Sequence, residues 1–344
     1  MTAPRTTFTA RGPVDLVAVV PHVLGFHPED SVVLMTFGPG ETFHARVDLP
    51  ADADDQCAVV DMLADVVARH GVGRIALLLY TSDPWIAATF HDAAVPRFVR
   101  DGVEVIDVLR VGADRFHPAC DPDDTGTPYD LKGHVFTAEQ VLRGTVVHES
   151  RASLAASLVL VDAAEAQAVA EAVSCFQDEL GVLPGGPPDD RAAPGLVEHA
   201  RWVQRTVRRA LRDGSALAAG DAGRLLVLVD RVDLRDVAWA EMDRGTSGRH
   251  VELWRDLVRR APASHRPAPA SLLAFAAWLH GDGALAWCAL DRCREVDPGY
   301  SMASCIAGLL DGAVPPSTWT PLTDDDLPIL GGAWSGRPPL PPVS

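Results

Sequence analysis

Lysine is nearly missing from this chain. Of 30 basic residues one, Lys132, is lysine, and the other 29 are arginine. Chemistry that requires an amine must therefore use Lys132. A G-x-x-x-x-G-K-[ST] phosphate loop is absent. A Schiff base would need Lys132 in a dry pocket, whereas it sits in the polar stretch Tyr129-Asp130-Leu131-Lys132-Gly133-His134. The six cysteines, at 57, 120, 175, 288, 293 and 305, form no C-x-x-C pair, which excludes a zinc ribbon and a disulfide framework. Cysteines in apolar helical patterns behave as small hydrophobes, so reduced thiols in a reducing compartment are expected.

No apolar run approaches the ~18 residues a spanning helix needs. The stretch Val14 to Phe26 is broken by Asp15, Pro21 and His22, and no small-residue cleavage site follows it, so a signal peptide is not expected. The expected location is the cytoplasm, with no membrane contact. Basic charge is also short, with 47 acids against 30 bases and a net charge of −17. Neutralising phosphates requires a basic surface, so nucleic acid is an unlikely partner. Hydrophobic residues make up 47% of the 344, enough for a sizeable core.

The first third alternates strand and helix patterns. A helix is expected over 14–24, closed by Gly25, and strands over 31–37 and 42–49, joined by Gly38-Pro39-Gly40-Glu41. A helix over 54–70 precedes the continuous apolar strand 74–81. Another helix, disturbed by Pro96, spans 86–100, and strands follow at 103–111 and 115–119. The polar stretch 121–135 reads as a long loop and Thr137 to Arg143 as a short helix. From Asp162 the pattern is helical. The C-terminal stretch from Val314 to Ser344 holds eight prolines and is expected to be extended. The fold expected is an α/β domain with a mixed sheet over 1–160, an all-α region over 161–313, and a Pro-rich tail over 314–344. Within the helical region, Ala270–His280 and Gly283–Val296 form a helical hairpin that resembles a tetratricopeptide unit, although Ala270, Ala274 and Ala277 depart from that consensus.

Gly71-Val72-Gly73-Arg74-Ile75-Ala76 fits G-x-G-x-x-A but lies between a helix and a strand, the reverse of a dinucleotide site. No cofactor is expected. His117 and Cys120 have metal-ligand spacing, yet two ligands make no site, and no metal is expected. A candidate pocket comprises His22, His27, Asp30 and Ser31 on one loop, with Arg110, Arg115, His117 and Arg151 available for anions. The alternative for Asp30 and Ser31 is turn chemistry. A second candidate surface is the arginine stripe Arg201, Arg205, Arg208 and Arg212, spaced as one helical face. It either meets an acidic partner or pairs with the chain's own carboxylates, with Glu165, Glu171, Asp178 and Glu179 as the nearest competitors. Seven of the eight tryptophans lie beyond residue 200, and Trp319 and Trp334 are placed to pin the Pro-rich tail onto the helices or, if exposed, to offer a partner surface. Arg337 to Pro342 fits a PxxP ligand, although composition alone produces such patterns.

Two long segments carry a resemblance. Gly12 to Pro21 followed by Leu24-Gly25-Phe26-His27-Pro28-Glu29-Asp30-Ser31, and Ala277 to Trp287 with Asp297-Pro298-Gly299-Tyr300, resemble a bacterial domain-of-unknown-function family numbered 4192. The resemblance spans about residues 8 to 319. It implies a cytoplasmic, actinobacterial protein and transfers no activity. Members often carry paired cysteines ahead of the long loop, whereas Ala119-Cys120-Asp121-Pro122-Asp123-Asp124 has one. That weakens any metal or redox role for the loop. Two functions remain in view. One is a non-enzymatic regulatory protein that binds a protein partner through its helical region. The other is a hydrolase acting on a small polar or phosphorylated substrate at the 22–31 and 114–134 loops.

Overall fold

The computed structural model describes residues 10–38, 43–138, 146–159, 162–180 and 194–331. They divide into two compact units that meet in sequence at Leu154 and Ala155.

The N-terminal unit contains α1 (Pro13–Leu24), β1 (Ser31–Phe37), β2 (His44–Asp48), α2 (Ala53–Arg69), β3 (Arg74–Tyr80), α3 (Pro84–Arg100), β4 (Glu104–Val111), β5 (Arg115–Pro118) and β6 (Thr127–Pro128). The six strands form one mixed sheet in the order β2-β1-β3-β4-β5-β6. Only β3 and β4 run parallel, joined by the α3 crossover. Side chains alternate across a strand, so the register sorts the sheet into two faces. Ile75, Leu77 and Leu79 of β3 pack with Val32, Leu34, Val108 and Ala119 under α2 and α3. The opposite face carries Val33, Met35, Ala76, Leu78, Leu109 and Val111, also buried. Helix α1 packs against β4 and shares no residue with the first cluster.

The helix ends follow their capping chemistry. Asp52 and Asp83 accept the free N–H groups that open α2 and α3. Gly25 closes α1 in the left-handed region at φ 74°, which favours glycine. Helix α3 runs through Pro96 without a break, contrary to the expected disturbance. The segment 121–135 is not wholly loop, since Thr127–Pro128 pairs with Arg115–Phe116. The expected hairpin turn at 38–41 falls largely outside the described residues, as does most of the expected 137–143 helix.

Helix α4 (Arg151–Ala156) spans the sequence boundary. The C-terminal unit then holds α5 (Ala163–Leu180), α6 (Pro194–Asp213), α7 (Ala219–Val229), α8 (Val232–Ala240), α9 (Ser247–Arg260), α10 (Pro267–His280), α11 (Gly283–Arg294) and α12 (Ser301–Asp311). Every residue of α10 from Pro267 to Leu279 is buried. A helix apolar all round belongs inside, and α7, α9, α11 and α12 pack against this one. Asp282 caps α11 through Leu285 N–H, completing the expected helical hairpin.

The proline-rich tail departs from expectation over 314–331. These residues fold into three short 3-10 turns that return to the helices. Trp319 is 5% exposed, stacks on Trp239 at 5.3 Å and meets Phe275 edge-on at 4.8 Å. Its Nε1 donates to the Met242 carbonyl at 2.9 Å. Proline restricts the chain without preventing burial, and one large aromatic ring supplies the anchor. Trp334 and the PxxP stretch lie outside the described residues.

Trp319→Ala is expected to destabilise the protein by about 3–5 kcal/mol, the cost of truncating a large buried aromatic ring. The shift in denaturant midpoint at constant slope measures it.

Candidate functional site

The strand alternation decides what the first candidate pocket can become. Arg110 stands opposite His117 across β4 and β5, and beside Leu79 of β3. Leu79 belongs to the face under α2 and α3, so Arg110, Arg115 and His117 point to that side. Ser31 is aligned with Tyr80, one residue out of phase, and belongs to the other face. His22 and His27 come from α1 and its exit, which stand apart from the α2–α3 cluster. The fold therefore does not bring these eight residues onto one surface.

Several of them are also engaged in local structure. Ser31 is fully buried and its hydroxyl donates to the Glu29 carbonyl. Asp30 takes a left-handed backbone at φ 42°, and its carbonyl accepts from Leu49 N–H. Both serve the turn into β1. Arg115 donates to the carbonyls of Thr125 and Gly126 at 3.1 and 2.7 Å. His117 Nδ1 lies 2.9 Å from the Asp124 carbonyl, and its ring covers Gly126 so closely that a Cβ there would collide with it. These two side chains brace the 121–126 loop. Arg151 sits exposed on α4.

A smaller group lies along α1, with Asp15 in its first turn and His22 in its last. His134 Nε2 bonds Asp15 Oδ1 at 3.0 Å, and its Nδ1 faces Phe136 N–H at 3.3 Å. His22 lies close to both His27 and His134. Burial first, then these two neighbours, hold its imidazole below the ordinary histidine range. Among the described residues no group of three or more His, Cys, Asp or Glu is placed to hold a metal ion. The structural cysteines fit an inert role, since Cys288 and Cys293 are buried and burial pushes the Cys293 thiol up to about 12.

The arginine stripe of α6 is sorted more sharply. Arg201 bonds Asp324 at 2.8 Å, Arg208 bonds Glu241 at 2.6 Å, and Arg212 lies 3.4 Å from its neighbour Asp213. Arg209, alongside, bonds Asp221 at 2.6 Å. The partners are thus Glu241 after α8 and Asp324 of the folded tail, not the acids of α5. Gln204 joins the network, donating to both Glu241 and Asp324. Bonds from Arg201 and Gln204 hold the Asp324 carboxyl below the usual carboxylate range. The Glu241 carbonyl in turn accepts from the buried His250 at 3.0 Å.

Arg205 differs from the other four. It is exposed and has no carboxylate partner among the described residues. Its charge acts against that of Arg224 on α7, whose guanidinium carbon lies 4.2 Å from the Trp202 ring centroid and 5.1 Å from that of Phe176. Sequence reading missed Arg224 and His199 beside it. No spacing links 199, 205 and 224, because the contact is made by packing α7 onto α5 and α6.

Two outcomes follow from this geometry. Gly126→Ala is expected to destabilise the protein by about 1–3 kcal/mol, because φ is 74° there and the His117 ring occupies the Cβ position; thermal unfolding measures it. Burial lowers His250 from 6.5 to about 4. The unfolded chain then binds the proton more readily, so this contribution is complete above pH 6.5 and is lost as pH falls toward 4. The loss amounts to roughly 3 kcal/mol. Urea unfolding across that range should show a shallower pH slope for His250→Gln, which keeps a side-chain N–H but no titration.

No curated protein and no solved structure matches this chain. A family model described as a domain of unknown function, DUF4192, matches residues 13–317. Covering most of the chain, that match makes the protein a member of the DUF4192 family.

Proposed function

We propose that this protein is a non-enzymatic regulatory protein whose helical unit binds a protein partner. The observation that supports this reading is Arg205. Four of the five arginines from 201 to 212 pair with carboxylates of the chain, and Arg205 does not. Where acids exceed bases by 17, an exposed guanidinium with no carboxylate partner among the described residues is available to an acidic surface elsewhere. The partner surface thereby narrows from the whole stripe to Arg205 and its neighbour Arg224. In this reading the tetratricopeptide-like α10–α11 hairpin is a buttress, since α10 has no exposed face to offer. The cysteines, read as reduced thiols, support work in the cytoplasm.

The hydrolase reading is less well supported. It needs Arg115 and His117 to meet His27 and Asp30, and these residues point to different sides and already hold turns together.

Capture of partners from a native lysate at physiological salt, with wild type and Arg205→Glu side by side, tests the proposal. A stoichiometric partner retained by wild type and lost by the variant, at unchanged melting temperature, is expected. The same bound set on both proteins, or no stoichiometric partner on wild type, overturns it.

A further inference from the structure

A half-buried guanidinium ordinarily meets a carboxylate, because desolvating an unpaired charge is costly. Arg224 breaks this pattern. Its Nε is buried with no hydrogen-bond partner, and two aromatic rings flank it instead. Burial is also the main reason its charge is disfavoured. His199 of α6 repeats the pattern, with a buried, unpartnered Nδ1 and its ring edge-on to Phe176 at 6.3 Å. Arg205 lies close enough to repel Arg224. Arg224 and His199 thus meet the same Phe176 ring, with the charge of Arg205 acting on Arg224, and none of the three is bonded to a carboxylate of the described residues.

Carboxylates do stand around this group. Glu179, Glu198 and Asp221 all act on Arg224 from a distance, and Asp221 is already bonded to Arg209. This acidic rim opposes an extended polyanion such as nucleic acid. It opposes less strongly one compact anion bonded directly to the guanidinium groups. A phosphate ester suits the donors better than a carboxylate does. It has three acceptor oxygens and close to two negative charges, and guanidinium forks match its geometry.

We propose that His199, Arg205 and Arg224, framed by Trp202 and Phe176, recognise a single phosphate ester carried on a side chain of the partner protein. This rests on the partner-binding reading, with which it shares Arg205. The rings keep Arg224 in place before the ligand arrives, which lowers the ordering cost of binding.

The test uses the full-length chain and isothermal titration with glycyl-phosphoseryl-glycine. The unphosphorylated peptide, its glutamate analogue and inorganic phosphate are titrated in parallel. Saturable binding of the phosphopeptide is expected, weakened about tenfold or more by Arg205→Gln and by Arg224→Gln, each removing charge-assisted bonds. Arg205 is exposed, so its variant keeps the fold even if Arg224→Gln loosens α7. The His199 imidazole resonance should move on titration of wild type. Absence of saturable binding, or binding unaffected in Arg205→Gln, overturns the proposal. So does glutamate analogue binding equal to that of the phosphopeptide. Inorganic phosphate binding as tightly as the peptide overturns the partner side chain as its source. If phosphopeptide binding fails while Arg205→Glu still abolishes partner capture, only this proposal falls. If phosphopeptide binding holds and capture does not, the partner reading falls, and with it the partner side chain as the source of the phosphate.

Discussion

A helix with no polar side must be covered all the way round, and α10 imposes that requirement on the whole C-terminal unit. Its residues Pro267 to Leu279 are buried without exception. Its side chains are largely alanine and leucine, small enough for α9 and α11 to approach closely. Phe275 and Trp278 are its large rings, and Trp239 and Trp319 close around Phe275. The tail therefore belongs to the core, because without Trp319 one side of this aromatic group would meet water.

The second organising constraint is the excess of acid. Arginine here acts first as an internal counter-ion. Arg97 gathers Asp61, Asp65 and Asp101 between α2 and α3, and Arg208 shares Glu241 with Gln204. Arginine suits this work because one planar guanidinium can bond several oxygens, which a lysine ammonium does less well. The scarcity of lysine and the density of these bridges are thus two views of one chemistry. Against that background, the stacked Arg224 and the exposed Arg205 are among the arginines with no carboxylate bond within the described residues.

Much of the architecture was legible from periodicity. The continuous apolar run at 75–79 became the strand at the middle of the sheet, and the helical hairpin expected over 270–296 formed around Gly281–Gly283. Sheet order was not legible, since β1 could pair with any neighbour of suitable pattern. The candidate pocket failed for a related reason. Residues such as Ser31, Arg110 and His117 looked close in type and loop position, but strand register puts them on opposite faces, and register is a tertiary fact. The stripe on α6 was visible as spacing. Which of its arginines remained unpaired depended on Asp324, more than a hundred residues away, and on Arg224 from α7.

The sheet order carries a kinetic meaning. Four of its five adjacent pairs join strands that follow one another in sequence, and only β1 with β3 skips a neighbour. Contacts so local cost little loop-closure entropy and form quickly. The N-terminal unit can therefore complete its hydrogen-bonded ladder while the helices are still being synthesised, since domains fold as units in the order they emerge. Its apolar strands, the segments of this chain most prone to intermolecular pairing, are then sequestered before the assembly around α10 begins.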